Sequence, residues 1–317
     1  MRGWRAAAVT GAATVVAGSG AGTASWAAYR HLMSQASTAR GAIGRDTTKP
    51  PEADGIYSPG GGAPEPWRRG AAVDHHLMIF GDSTAAGLGC VIADEVPGVL
   101  LARGLAEETG KRVRLSTKAI SGATSKGLEG QVDAMLIAGP PPDAAVILVG
   151  ANDVTKKHSI RASAARLGDA VQRLHASGSV VVVGTCPDLG IVTAIPQPLR
   201  TVVREWGMRL RSAQTSAVLA AGGSPVALAD LLSPEFLAAP DRMFAPDGFH
   251  PSAAGYELAA AQLLPVLASE LGVWFGGPIP EVPELSEVAE RRRLAVRAAD
   301  AANRFLWRRD VRQLSTT

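Results

Sequence analysis

The chain has 317 residues, 46% of them hydrophobic and 19% charged, enough for one large α/β domain or two small ones with a sizeable core. Its net charge is only +3, and the stretch from Glu284 to Thr317, with eight arginines against five acids, carries the whole excess. The near-neutral body argues against nucleic acid as a partner.

In chain order, the first feature is a run of 24 positions, 6–29, without a charged residue between Arg5 and Arg30. A bilayer needs about 20 residues to cross, whereas a signal-peptide apolar core runs to about 15. Residues 1–33 therefore read as a membrane anchor, or as a cleaved signal with Ser25-Trp26-Ala27 as its small-residue site. Positive charges stand on both sides, so they assign no orientation. Residues 34–73 hold Lys49-Pro50-Pro51, Ser58-Pro59-Gly60-Gly61-Gly62 and Pro64-Glu65-Pro66, a linker composition.

From residue 74 short apolar runs alternate with longer stretches at helical spacing. Strands are expected over 76–80, 113–119, 144–149, 180–184 and 226–228. Helices are expected over 97–109, 124–138, 159–177, 199–221 and 252–270. This alternation implies a parallel sheet covered on both faces. In such a sheet ligands sit beyond the carboxyl ends of the strands, so residues just after each strand matter most. Beyond 272 a basic tail follows, with a helix expected over 284–309 that lies either on the domain or on an anionic membrane surface. Cys90 and Cys186 make no metal-site spacing and read as two buried thiols in preference to one disulfide.

Four groups stand at or near strand ends: Gly81-Asp82-Ser83, Ser121-Gly122-Ala123-Thr124, Gly150-Ala151-Asn152-Asp153, and Asp247-Gly248-Phe249-His250-Pro251 before the last helix. The first alone reads equally as a capped helix start, and Asn152 alone as a turn residue. Acyl transfer needs an activated hydroxyl, a base of near-neutral pKa and donors for an oxyanion. Ser83 fits the nucleophile and His250 the base. Asp247, three residues before His250 across a glycine-containing turn, can hold the imidazole in its tautomer. Asp82 and Asp153 read as supports of their loops. His31, His75, His76, His158 and His175 lack an Asp at this spacing and read as structural or surface groups.

In this order the four groups resemble the blocks of the SGNH (GDSL-type) hydrolases over residues 74–272. The resemblance implies a three-layer α/β/α fold with a five-stranded parallel, flavodoxin-like sheet. It also implies a serine esterase with Ser83, Asp247 and His250 as catalytic residues. The oxyanion hole would use the backbone amides of Ser83 and Gly122 and the side-chain amide of Asn152. A side chain at position 122 would block approach to the carbonyl. No cofactor or metal is implied. The expected partner is a small-molecule, lipid or sugar acyl ester, together with a membrane through the N-terminal segment. The catalytic domain would then lie outside the cytoplasm, anchored or secreted. Position 85 is alanine, so the Gly-x-Ser-x-Gly elbow of ordinary α/β-hydrolases is missing. Two other readings compete: a silent scaffold of the same fold, and a phosphate-binding flavodoxin-like domain that leaves Asn152 and His250 unexplained.

Overall fold

The computed structural model describes residues 26–39, 41, 49–274, 276–277 and 279. A helix over 26–39 (α1) comes first. Six strands follow, β1 Gly55–Tyr57, β2 His75–Gly81, β3 Val113–Thr117, β4 Ala144–Leu148, β5 Val180–Gly184 and β6 Ser224–Val226. Between and after them stand α2 Ser83–Ala86, α3 Pro97–Thr109, α4 Ser125–Ala138, α5 Ala151–Thr155, α6 Ile160–Ala176, α7 Leu199–Ala220, α8 Leu228–Ala238, α9 Pro240–Met243 and α10 Ala253–Glu270.

The sheet order is β1-β3-β2-β4-β5-β6, with β2 to β6 parallel and β1 antiparallel to β3. The five parallel strands run in the flavodoxin-like order. The sixth strand corrects the expected count of five: Ile56 and Tyr57, each 1% exposed, come from a segment that reads as linker. Prolines and glycines on both sides hide so short a strand. Tyr57 is nevertheless anchored, its hydroxyl donating to the Ala53 carbonyl at 2.6 Å. Burial pushes that phenol up to about 12.

Strand residues point alternately to two cores, which is why the central strands are apolar throughout. Leu77, Ile79, Val146, Leu148 and Val182 join Leu101 and Leu105 of α3 and Leu263 and Leu267 of α10. Met78, Phe80, Ile147, Val181 and Val183 join Leu128 of α4, Leu167 of α6 and Val218 of α7. Three layers result.

The last expected strand, 226–228, is displaced. Pairing ends at Val226, and Leu228 opens α8. Pro234 lies inside that helix, and the Ser233 hydroxyl donates to the Ala229 carbonyl at 2.5 Å. Among the described residues no helix is long and apolar enough to cross a membrane. The uncharged stretch lies outside them up to residue 25, and the expected tail helix over 284–309 lies wholly outside them.

Because β2 sits mid-sheet, the chain leaves it for β3 on one side and returns to β4 on the other. The gap between their carboxyl ends is the topological switch point. There Gly81 has φ +131°, and a Cβ on it would stand 1.9 Å from the Leu148 carbonyl oxygen. Gly81→Ala should therefore lower stability by about 3 kcal/mol or more. Urea unfolding midpoints of variant and wild type check this, and equal midpoints would refute the close approach.

Candidate active site

Three of the four sequence groups follow β2, β3 and β4, the strands that flank the switch point. Hydrogen bonds tie them together: Asp82 N–H donates to the Leu148 carbonyl at 3.1 Å, and Ile120 N–H to the Gly81 carbonyl at 3.1 Å. The Asn152 side-chain amide donates to the Ala123 carbonyl at 2.9 Å. Buried Gln131 holds both sides of Gly81, accepting from its N–H and donating to its carbonyl, each at 2.8 Å.

Ser83 is the first residue of α2, and Asp82 caps that helix by accepting from Thr84 N–H at 2.9 Å. The helix has only four residues. Any field at Ser83 is therefore that of a few oriented amides and not of a long helix dipole.

The fourth group reaches Ser83 from the far end of the chain. The Ser83 hydroxyl and His250 Nε2 are 2.9 Å apart, and His250 Nδ1 donates to Asp247 Oδ2 at 2.5 Å. Asp247 Oδ1 also accepts from the Phe249 and His250 amides, both at 2.9 Å. The spacing of three thus lets one carboxylate close its own turn and hold the ring. Tyr256 of α10 fixes the turn after α2 by donating to the Leu88 carbonyl at 2.6 Å. Burial works to raise Asp247, but the His250 ring and the two amides outweigh it and hold the carboxyl below its usual range.

Gly122 lies in an exposed loop with φ +78°, which itself favours glycine. A Cβ there would meet no protein atom within 4 Å, so the backbone conformation, and not crowding by a neighbour, calls for glycine. Asp153 is a loop support, as read from the sequence. It accepts from Ser125 N–H at 2.8 Å and from the hydroxyls of Ser125 and Ser163 at 2.7 and 2.8 Å. His158 joins it at 3.1 Å, a partnership across a helix end that the spacing of His and Asp did not suggest. His76 is buried against the Ser116 hydroxyl at 2.9 Å, and burial, assisted by Arg114, lowers it to about 4. Both cysteines are free and buried. Burial pushes Cys90 up to about 12 and raises Cys186 as well, so neither is a thiolate nucleophile near neutrality.

An apolar cavity of about 80 Å³ is lined by chain neighbours of Ser83 and His250, though by neither of the two themselves. Asp82 and Thr84 line it on either side of Ser83, and Phe249 and Pro251 on either side of His250. Leu228, Leu232 and Phe236 of α8 form its far wall, a helix not expected from the sequence. Among the described residues no cluster of three His, Cys, Asp or Glu side chains is placed to hold a metal ion.

Burial raises Asp82 from 3.8 to about 6, although Thr84 N–H and His250 oppose the rise. Its folded value thus exceeds its unfolded one. The stability it lends is complete below about pH 4 and is lost as pH rises through about 6, a difference worth about 3 kcal/mol. Asp82→Asn keeps an acceptor for Thr84 N–H. It should match wild type near pH 4 and be more stable, by up to that amount, at pH 7. Urea unfolding across this range is the check, and a gap independent of pH would refute the assignment.

The GDSL-like lipase/acylhydrolase family profile matches residues 79–258. The GDSL-like esterase Rv1075c of Mycobacterium tuberculosis is 58% identical over 271 residues, 86% of each chain. Among solved structures, that of TesA is similar at 25% identity and a TM-score of 0.46, covering 62% of this chain and 97% of that one. The lipase/acylhydrolase of Enterococcus faecalis is similar at 23% and 0.46, covering 65% and 100%. The family match includes Ser83 and His250, and with the close relative it establishes that this chain belongs to the GDSL-like lipase/acylhydrolase family, the SGNH hydrolases, and is a carboxylic ester hydrolase.

Proposed function

We propose that the protein is a serine esterase that cleaves carboxylic esters through an acyl-enzyme on Ser83. The relay from Ser83 Oγ through His250 to Asp247, at 2.9 and 2.5 Å, carries this reading. With Nδ1–H given to Asp247, the unprotonated Nε2 faces the hydroxyl. Ser83 Oγ attacks the carbonyl carbon as its proton passes to Nε2. The imidazolium, stabilised by Asp247, then returns that proton to the departing alcohol. Water repeats the sequence on the acyl-serine and releases the acid. The oxyanion is assigned to the Ser83 and Gly122 backbone amides and to the Asn152 N–H not given to Ala123.

The cavity lined by chain neighbours of Ser83 and His250 supports a place for the acyl group. At about 80 Å³ it is small, which favours a short acyl chain over a long one. Its lining is apolar, which suits a hydrocarbon tail. The alcohol side opens to solvent near the exposed loop at Ser121 and Gly122, and accepts a small, sugar or lipid alcohol. The uncharged stretch over 6–29 supports an anchored or exported enzyme with its catalytic domain outside the cytoplasm. Protease added to intact cells should digest that domain, and protection would refute the placement.

Ser83→Ala and His250→Ala should each abolish turnover of chromogenic esters with unchanged melting temperature. Asn152→Ala should lower kcat by about 10²–10³, the usual cost of one oxyanion donor. Acetyl to hexanoyl esters should be turned over and dodecanoyl esters scarcely at all, with Phe236→Ala shifting the profile to longer chains. Turnover by Ser83→Ala, or a profile rising to dodecanoyl in wild type, would overturn the mechanism or the acyl assignment respectively.

A further inference from the structure

We propose that the helix over 26–39 is a positioning element of the ester site, acting through Lys156 on the loop that carries Gly122. This rests on the assignment of Gly122 and Asn152 to the oxyanion.

Helix α5 has five residues and ends at Lys156, its C-cap. It grips the 121–124 loop twice. Asn152 donates to the Ala123 carbonyl at 2.9 Å, and the Lys156 ammonium donates to the Gly122 carbonyl at 2.7 Å. Gly122 has no Cβ to restrict its φ and ψ. The Ser121–Gly122 peptide, which carries its N–H, and the Gly122–Ala123 peptide, which carries its carbonyl, therefore turn easily against each other. Holding the carbonyl fixes the second plane, against which the first is set. Lys156 supplies that hold with a charge-assisted bond.

So short a helix does not hold itself in place. Its other side is covered by α1. Leu32, Ala36 and Ala39, spaced four and three apart on one face, line an apolar seam with Val154 of α5 and Val203 and Trp206 of α7. Gln35 fastens the seam, accepting from Leu199 N–H at 3.0 Å and donating to the Gln197 carbonyl. Lys157, with φ +58°, is the single non-glycine residue of positive φ among those described. Its ammonium lies 5.5 Å from the Tyr29 ring centroid and 3.0 Å from Met33 Sδ, both on α1. Two adjacent lysines therefore divide their work. Lys156 holds the oxyanion loop, and Lys157 holds the helix that braces α5.

The test is steady-state ester hydrolysis by the full chain. Lys156→Met should lower kcat about tenfold with KM within about twofold of wild type and an unchanged melting temperature. Lys156→Arg, which keeps a charged donor, should restore most of the loss. Ala36→Glu, which puts a carboxylate into the seam, should lower kcat similarly, and the double variant with Lys156→Met should fall no further than the worse single one. Wild-type kcat in Lys156→Met or in Ala36→Glu, or multiplied losses in the double variant, would overturn the proposal. Asn152→Ala in the same series separates the two levels. If it loses rate while Lys156→Met does not, only the positioning role fails. If it too turns over at the wild-type rate, the oxyanion assignment fails with it.

Discussion

Where parallel strands stop, their last amides and carbonyls lose their ladder partners while still buried, and each must find another partner. In this protein the solution to that demand also builds the site. The Leu148 carbonyl takes the Asp82 N–H, and the Gly81 carbonyl takes the Ile120 N–H. Gln131 reaches out of α4 to satisfy Gly81 on both sides. Gln214 of α7 does the same between the next two strands, accepting from Cys186 N–H and donating to the Val149 carbonyl. The loops are therefore fixed to one another before any catalytic side chain acts. Ser83, Gly122 and Asn152 inherit their positions from that fixing.

Two carboxylates near Ser83 show how solvation and partners set different roles for one residue type. Asp82 is buried with few donors, so burial dominates and its charge is disfavoured. Asp247 is held by three N–H groups, which outweigh its burial and keep it ionised. The first suits a cap at the nucleophile turn. The second suits a fixed negative charge behind an imidazole that must accept a proton.

Much of this was legible in the sequence because it depended on local pattern. The apolar runs at 144–149 and 180–184 could only be buried strands, and five helices fell within a residue or two of their expected bounds. The Asp247–His250 spacing carried its geometry within four residues. What stayed hidden depended on contacts made at a distance. Gly55–Tyr57 is a strand because β3 lies beside it, not because of its own composition. Helix α8 was concealed by Pro234, and with it the wall of the apolar cavity. Lys156 carries no motif of its own, and its part shows only with the Gly122 carbonyl opposite its ammonium.

The two ends of the sheet have a consequence for the protein's behaviour in company. Its outermost strands, β1 and β6, are three residues each, and Pro225 sits within β6. A long flat edge is a template on which a second chain can add its own strand, and proteins with open sheets need some defence against it. Here the long central strands are enclosed, and what faces outward is too short, and on one side lacks an amide, to recruit a neighbour. Such edges resist ordered association through the sheet even at high protein concentration.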